Sequence, residues 1–156
     1  MTEPARDNPG VIAFPPLLFG ATLVAALVAH WFFPRPVLSN LVARPLGGLL
    51  FIGGMLLAGW GRSAMVKAGT NVDPRQPTTA IVTTGPFAHT RNPLYIALTL
   101  VYLGIALLVN ALWPVALLTP LVVLTHYGIV RREERYLEAK FGDEYRTYCA
   151  RVIRWL

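Results

Sequence analysis

Residues that could form a binding site are concentrated in one short stretch, directly before the longest run without Asp, Glu, Lys or Arg. The stretch reads Gly85-Pro86-Phe87-Ala88-His89-Thr90-Arg91-Asn92-Pro93-Leu94-Tyr95. Pro93 suits the first position of a helix, and Asn92 before it suits the cap. Unpaired N–H groups at such a helix N-terminus favour a carboxylate or phosphate, and Arg91 could bind the same group with two parallel hydrogen bonds. The alternative is that the Arg91 side chain extends to lipid headgroups.

A second charged stretch follows the same apolar run and begins Arg131-Arg132-Glu133-Glu134. We predict a helix over this stretch that ends at Gly142, because glycine suits the position after a helix. Periodicity alone favours a solvent-exposed charged helix here. A second short helix follows, and one of its faces carries Tyr145, Tyr148 and Val152. This aromatic face either lies on the membrane or covers a pocket.

The composition predicts a membrane protein. Of the 156 residues, 54% are hydrophobic and 14% are charged, and the mean hydropathy is +0.50. Soluble domains carry roughly a quarter charged residues. Because a span needs about 20 apolar residues, and Asn110 with Pro114 divides the longest run, we predict four spans, near 11–33, 45–66, 94–109 and 112–130. The predicted fold is one all-α integral membrane domain, with a cytoplasmic cap formed by 67–92 and 131–156.

The net charge of +6 is distributed in a way that predicts topology and not nucleic-acid binding. With four spans, one side holds every Lys and Arg except Arg35 and Arg44. By the positive-inside rule that side is cytoplasmic, and both termini lie on it. The small size suggests a bacterial or archaeal plasma membrane, whose lipids the basic residues would contact. The three histidines lack metal-ligand spacing, so we predict no metal.

Span two is rich in glycine, and its members are Gly47, Gly48, Gly53, Gly54, Gly59 and Gly61. Small residues allow helices to approach closely in lipid, so we interpret them as a packing face. A glycine-rich nucleotide loop does not fit, because no strand precedes these residues. The sequence leaves open whether a second copy of the chain uses this face to form a homodimer.

Together, the two charged stretches resemble the membrane methyltransferases of the isoprenylcysteine carboxyl methyltransferase and phospholipid methyltransferase group. The similar positions are Gly85-Pro86-Phe87, Arg91-Asn92-Pro93-Leu94-Tyr95, Arg132-Glu133-Glu134, Leu137, Phe141-Gly142, Tyr145, Tyr148 and Val152. The similarity extends from about Gly69 through the tail, over half of the chain. It implies an enzyme that binds S-adenosylmethionine beneath the loop and the tail. The implied acceptor is a lipophilic or membrane-associated carboxylate, thiol or amine.

The resemblance also assigns roles to individual residues. It implies Arg91 and Glu134 as catalytic residues, and as cofactor-binding residues Gly85, His89, Arg91, Asn92, Pro93, Tyr95, Glu133 and Glu134. Arg91 would hold a carboxylate, and a glutamate would hold an ammonium group or ribose hydroxyls. His89 is either the base for an amine or thiol acceptor or an exposed loop residue. Two positions depart from the family pattern, because Asn92 replaces the usual histidine and Ala97 replaces a glycine, which would narrow the cofactor channel.

Two other functions fit parts of the pattern. Membrane reductases that use NADPH carry a similar segment, but they are much longer, and this chain lacks the histidine and asparagine of that segment. A lipid-binding or scaffolding protein would explain the basic tail and the glycine-rich span without any chemistry. Such a protein would not need Arg91 together with Glu133 and Glu134, so this combination favours the methyltransferase.

Overall fold

The structure is a computed structural model that describes residues 8–155. Within that range the chain is helical and contains no β-strand. The helices are α1 (Pro15–Phe32), α2 (Asn40–Lys67), α3 (Pro93–Leu108), α4 (Leu112–Thr125), α5 (Arg131–Phe141) and α6 (Asp143–Arg151). A 3₁₀ turn (Gly85–Ala88) precedes α3, and a π-helical turn (His126–Val130) joins α4 to α5. Residues 1–7, the N-terminus of the topology prediction, lie outside the described range.

Three helical stretches are long and apolar enough to cross a membrane: Pro15–Phe32, Asn40–Lys67 and Leu112–Phe141. The fourth apolar helix, α3, has only 16 residues. The predicted all-α membrane bundle is confirmed, and the count of four is met when α3 is included. The helix that contains the predicted second span is longer than that span, since α2 begins at Asn40 and contains Pro45. Proline in the second turn lacks the N–H group that would donate to the Leu41 carbonyl, so the helix loses one hydrogen bond near its end.

Small residues of α2 pack along α3, the central helix of the bundle. Gly47, Gly54 and Gly61 are all buried on this face. A Cβ atom at Gly54 would lie 2.9 Å from the Ala97 carbonyl oxygen, and one at Gly47 would lie 2.6 Å from the Leu108 nitrogen. The interpretation of span two as a packing face is therefore confirmed for Gly47, Gly54 and Gly61, and α3 of the same chain is the main helix on which they pack. A Cβ atom at Gly48, Gly53 or Gly59 would meet nothing within 4 Å.

Asn110 joins two loops by hydrogen bonds at the end of the bundle opposite the charged stretches. Its backbone has a φ of +55°, a left-handed conformation that asparagine tolerates better than most residues. Its Oδ1 accepts hydrogen bonds from the N–H groups of Val37 (2.9 Å) and Leu38 (3.1 Å). Its Nδ2 donates to the Leu38 carbonyl at 2.7 Å and to Asn40 Oδ1 at 2.9 Å. One side chain thus ties the α1–α2 connection to the α3–α4 turn.

The π-helical turn determines which way α5 faces. Its hydrogen bond runs from the Arg131 N–H group to the His126 carbonyl, five residues back. A π-helical turn holds one residue more than an α-helical turn, so the same residues wound as continuous α-helix would direct α5 about 100° away from its present orientation. In the resulting orientation, Glu133 contacts Tyr95 and Glu134 contacts Arg91. The cap formed by α5 and α6 therefore brings the second charged stretch onto the first.

Candidate functional site

A cavity of about 480 Å³ lies at the charged end of the bundle. The start of α1, the end of α2, the loop before α3, the start of α3, and α5 with α6 form its wall. Small-molecule sites have volumes of roughly 300–1,000 Å³. Six predicted site residues line the cavity: Arg91, Asn92, Pro93, Tyr95, Glu133 and Glu134. The fold therefore brings the two charged stretches together around a space of suitable size.

Glu134 is the centre of an ion cluster. Its Oε1 accepts hydrogen bonds from Arg91 Nη1 at 3.1 Å and from Arg154 Nε at 2.9 Å. The Arg91 and Glu134 side chains are each only 15% exposed. Arg91 Nη1 also lies 3.0 Å from the Cys149 sulfur, and Arg91 Nε is buried without a hydrogen-bond partner in the described chain. Of the two alternatives for Arg91, the geometry favours the inward one, and its guanidinium keeps unused donor capacity.

Glu133 has a different partner from its neighbour. Its Oε1 accepts a hydrogen bond of 2.7 Å from the Tyr95 hydroxyl. Tyr95 is buried in the first turn of α3, where it packs against Ile129 and Val130 of the π-helical turn. Glu133 is thus fixed by a neutral phenol, whereas Glu134 is fixed by two guanidinium groups.

The segment after α6 holds the residues that lead into α3. The Arg91 N–H group donates to the Ile153 carbonyl at 2.9 Å. The Thr90 hydroxyl and the Asn92 amide both donate to the Arg154 carbonyl, at 3.1 and 2.9 Å. Asn92 occupies the predicted N-cap position of α3, but its side chain makes no capping hydrogen bond, because this contact turns it toward the C-terminal segment. The residue in place of the family histidine therefore helps to join the two parts of the site.

The aromatic face of α6 covers the cavity. Tyr145, Tyr148 and Val152 form one buried cluster, packed against Ile81, Leu137 and Phe141. Of the two alternatives for this face, the structure supports the pocket cover, since both tyrosines line the cavity. The Tyr148 hydroxyl donates to the Phe87 carbonyl at 2.8 Å. Burial raises the pKa of Tyr148 to about 12 and also raises the pKa of Tyr145, so both phenols stay neutral at physiological pH.

The loop after α2 is held by hydrogen bonds within the loop and by one hydrogen bond to α5. The Thr79 hydroxyl donates to the Gly69 carbonyl at 2.8 Å, and the Thr79 N–H group donates to the Thr70 hydroxyl at 3.1 Å. The Thr78 N–H group donates to the Tyr136 hydroxyl at 3.2 Å. These contacts hold a segment of Thr, Pro and Asn residues over the cavity without regular secondary structure.

The same loop also contacts the start of α1. Asp73 lines the cavity and pairs with Arg75, with 2.7 Å between Oδ2 and Nη2. The hydrogen bonds from Arg75 lower the pKa of the Asp73 carboxyl. The Arg75 guanidinium lies 4.5 Å from the centre of the Phe14 ring, a favourable cation–π arrangement. One arginine therefore links the loop to α1 across the cavity mouth.

Two predicted cofactor-binding residues lie outside the cavity wall. Gly85 has a φ of +62°, and a Cβ atom there would lie 3.2 Å from the Trp60 ring nitrogen, so its position requires glycine. His89 is exposed, and its ring centre lies 6.5 Å from that of Trp60. Ala97 contacts Gly54 of α2 and is absent from the cavity wall. The expectation that Ala97 narrows the cofactor channel is therefore wrong.

Comparison with known proteins agrees with this architecture. The family model for "Phospholipid methyltransferase" matches residues 42–144, about two thirds of the chain. The chain belongs to this family. An "Uncharacterized protein" of Haemophilus influenzae is 44% identical over 64 residues, which are 40% of this chain and the whole of that protein. No solved structure matches the chain.

Membership of the phospholipid methyltransferase family implies a membrane methyltransferase, and it confirms the resemblance derived from the two charged stretches. Three residues of the site region were not predicted from the sequence: Arg154, Thr90 and Asp73. Arg154 is one of several tail arginines, and only the pairing of Thr90 with Ile153 brings it to Glu134. Asp73 gave no signal beyond its place in a proline-rich loop.

Proposed function

We propose that this protein transfers a methyl group from S-adenosylmethionine to a lipophilic or membrane-associated acceptor at the cytoplasmic face of the membrane. The observation that carries the proposal is the meeting of Arg91, Tyr95, Glu133 and Glu134 at one cavity wall. These residues come from two stretches separated by the third and fourth spans. A scaffold gains nothing from this arrangement, whereas a ligand with charges of both signs matches it.

The cavity residues fit the charged groups of the cofactor. When bound, S-adenosylmethionine supplies a methyl group on a sulfonium and carries an ammonium and a carboxylate. Arg91, with its buried and unsatisfied Nε donor, would hold the carboxylate. A carboxylate of the pair Glu133 and Glu134, which lie on the same wall, would hold the ammonium. His89 and Gly85 lie off the wall, so their proposed cofactor contacts rest on the family resemblance alone.

Methyl transfer by displacement requires orientation more than acid–base chemistry. The cavity wall can fix an acceptor and exclude water, and effective molarities in such oriented reactions reach about 10⁵–10⁸ M. An anionic carboxylate acceptor needs no base. An amine or thiol acceptor must first lose a proton, and His89, the candidate base, is exposed and is not among the residues of the cavity wall. The arrangement therefore favours an acceptor that arrives deprotonated.

A gap between α1 and α2 offers the acceptor a route from the lipid. α1 packs against α4 and α3, and α2 packs against α3, while α1 and α2 make little contact among the described residues. Phe14 and Pro16 on one side and Ala58 and Met65 on the other line the cavity there. These side chains are apolar, so a lipophilic acceptor can enter laterally while the cofactor enters from the cytosol.

The proposal includes a bacterial or archaeal plasma membrane with both termini in the cytoplasm, for which the supporting observation is the charge asymmetry. It also includes a homodimer. Because Gly47, Gly54 and Gly61 already pack on α3, a second copy would have to use the opposite face of α2, where Gly53 and Leu56 are exposed.

The test is calorimetric binding of S-adenosylmethionine and S-adenosylhomocysteine to the full chain in detergent, with NADPH as the control ligand. We expect micromolar binding of the first two ligands alone. In the Glu134→Gln variant that binding should be abolished or strongly weakened. Binding of NADPH instead would support a reductase, and binding of none of the three by folded protein would support a scaffold.

A further inference from the structure

Two adjacent glutamates of α5 line the same cavity but differ in the hydrogen-bond partners of their carboxylates. Glu134 accepts hydrogen bonds from two guanidinium groups on one oxygen atom, at 3.1 and 2.9 Å. Glu133 accepts one hydrogen bond, from the neutral Tyr95 hydroxyl at 2.7 Å. The family motif presents the two residues as a pair, whereas the structure gives each a separate environment.

The surroundings of Glu134 exclude a third cation. Its single negative charge lies between Arg91 and Arg154, and the Glu134 side chain is 15% exposed. An ammonium group placed on this carboxylate would meet two positive charges at short range, in a region where screening by water is weak. The cluster of three residues keeps one excess positive charge. It therefore attracts an anion more strongly than a cation.

Glu133 is open to a cationic ligand. In the described part of the chain it has no ion-pair partner, and the Tyr95 hydrogen bond fixes its position. It lines the cavity beside the cluster. A cationic group bound there would form the first ion pair of Glu133 and would break none.

We infer that Glu133 binds the ammonium group of the cofactor, whereas Glu134 and Arg154 position Arg91 for its carboxylate. This assignment rests on the proposed function and separates the roles of two residues that the sequence left interchangeable. Arg154 is absent from the cavity wall, so it acts through Glu134 as a positioning residue. Arg91 contributes the free donors, including its buried Nε.

The assignment can be tested with three ligands and calorimetry on the full chain in detergent. The ligands are S-adenosylhomocysteine, its decarboxylated analogue, which keeps the amine, and its deaminated analogue, which keeps the carboxylate. Glu133→Gln should weaken binding of the first two by about tenfold or more and leave the deaminated analogue nearly unchanged. Arg154→Met should weaken the parent and the deaminated analogue similarly and spare the decarboxylated one.

Matched controls are Arg151→Met, an exposed arginine three residues before Arg154, and Glu138→Gln, an exposed glutamate of α5. Both should bind all three ligands like the wild type. Arg154→Lys should bind the two ligands that keep the carboxylate more tightly than Arg154→Met does. If Arg154→Met does not fold, the Arg154→Lys and Glu133→Gln measurements still decide the question.

Equal weakening of all three ligands by Arg154→Met would show a merely structural role and overturn the assignment. The same conclusion follows if Glu133→Gln weakens the deaminated analogue as much as the amine-bearing ligands. Failure of the wild type to bind S-adenosylhomocysteine at all would instead overturn the proposed function, and the assignment with it. These outcomes are distinguishable because the wild type is measured first.

Discussion

Tyr95 is the residue through which α3 fixes the carboxylate of Glu133. Its hydroxyl is the hydrogen-bond donor to Glu133 in a buried setting, so Tyr95→Phe should leave the carboxylate poorly oriented. A hydrogen bond to a charged group contributes about 1.5–3 kcal/mol, so we expect roughly tenfold weaker binding of S-adenosylhomocysteine. Calorimetry measures this directly. Tyr127→Phe, at an exposed phenol, is the control, and unchanged affinity in Tyr95→Phe would contradict the prediction.

Because of Tyr148, the cap formed by α5 and α6 should lose stability at alkaline pH. Burial raises its pKa from an ordinary value of about 10 to about 12 in the folded protein. The folded state thus favours the neutral phenol, and this stabilisation is complete below pH 10 and disappears as the pH rises toward 12.

We therefore expect the free energy of unfolding in detergent to fall between pH 10 and 12, and to fall less in Tyr148→Phe. Denaturant titrations at several pH values measure both curves. Parallel curves for the wild type and the variant would show that another group causes the alkaline loss.

Sequence patterns identified the residues of the two motifs but not every residue that completes the site. Arg91, Tyr95, Glu133 and Glu134 could be predicted because their order and spacing resemble a known family. Arg154 could not, because it reaches Glu134 only through the pairing of Thr90 with Ile153, a contact between segments distant in sequence. The hydrogen bond from the Asn92 side chain to the Arg154 carbonyl depends on the same pairing, so the sequence indicated the cap position of Asn92 but not the partner of its side chain.

At the scale of helices, the α2–α3 contact depends on the absence of a side chain at Gly54. A Cβ atom there would lie 2.9 Å from two backbone atoms of α3, which cannot move aside as a side chain could. We expect Gly54→Ala to reduce the free energy of unfolding in detergent by about 1–3 kcal/mol. Thermal or denaturant unfolding measures the change.

The neighbouring glycine is the matched control for this contact. A Cβ atom at Gly53 would meet nothing within 4 Å, and alanine has a higher helix propensity than glycine. Gly53→Ala should therefore keep or slightly raise the stability. Equal destabilisation by both substitutions would point to a general need for glycine in α2 and not to close packing on α3.

The hydrophobicity of the sequence was enough to predict that these helices exist. It did not predict the turn between α4 and α5 or the start of α2. The apolar runs predicted the four helices and the turn at Asn110. Nothing in the sequence predicted the π-helical turn, because the turn depends on how the glutamates of α5 contact α3 in the folded chain. The early start of α2 was also missed, since a proline usually marks a helix start and Pro45 lies inside the helix instead.

For the molecule as a whole, the distribution of charge predicts its orientation in the membrane. Among the described residues, every Lys and Arg except Arg35 and Arg44 belongs to the end that carries the cavity, so we expect that end in the cytoplasm. In a Cys149→Ser background, Pro34→Cys should react with a membrane-impermeant maleimide in intact cells. Thr147→Cys, exposed on α6, should react only after permeabilisation. The reverse labelling pattern, or equal labelling of both, would contradict the orientation.

The single extra residue of the π-helical turn has a consequence for how such a gene lineage can change. A π-helical turn holds one residue more than an α-helical turn, so loss of one codon within His126–Val130 would give continuous α-helix with the apolar length of the span almost unchanged. Because the turn absorbs the extra residue, α5 would keep nearly the same orientation. Glu133 and Glu134 would stay beside Tyr95 and Arg91. Descendants of such a deletion would carry the two motifs one residue closer in sequence and still present the same cavity wall.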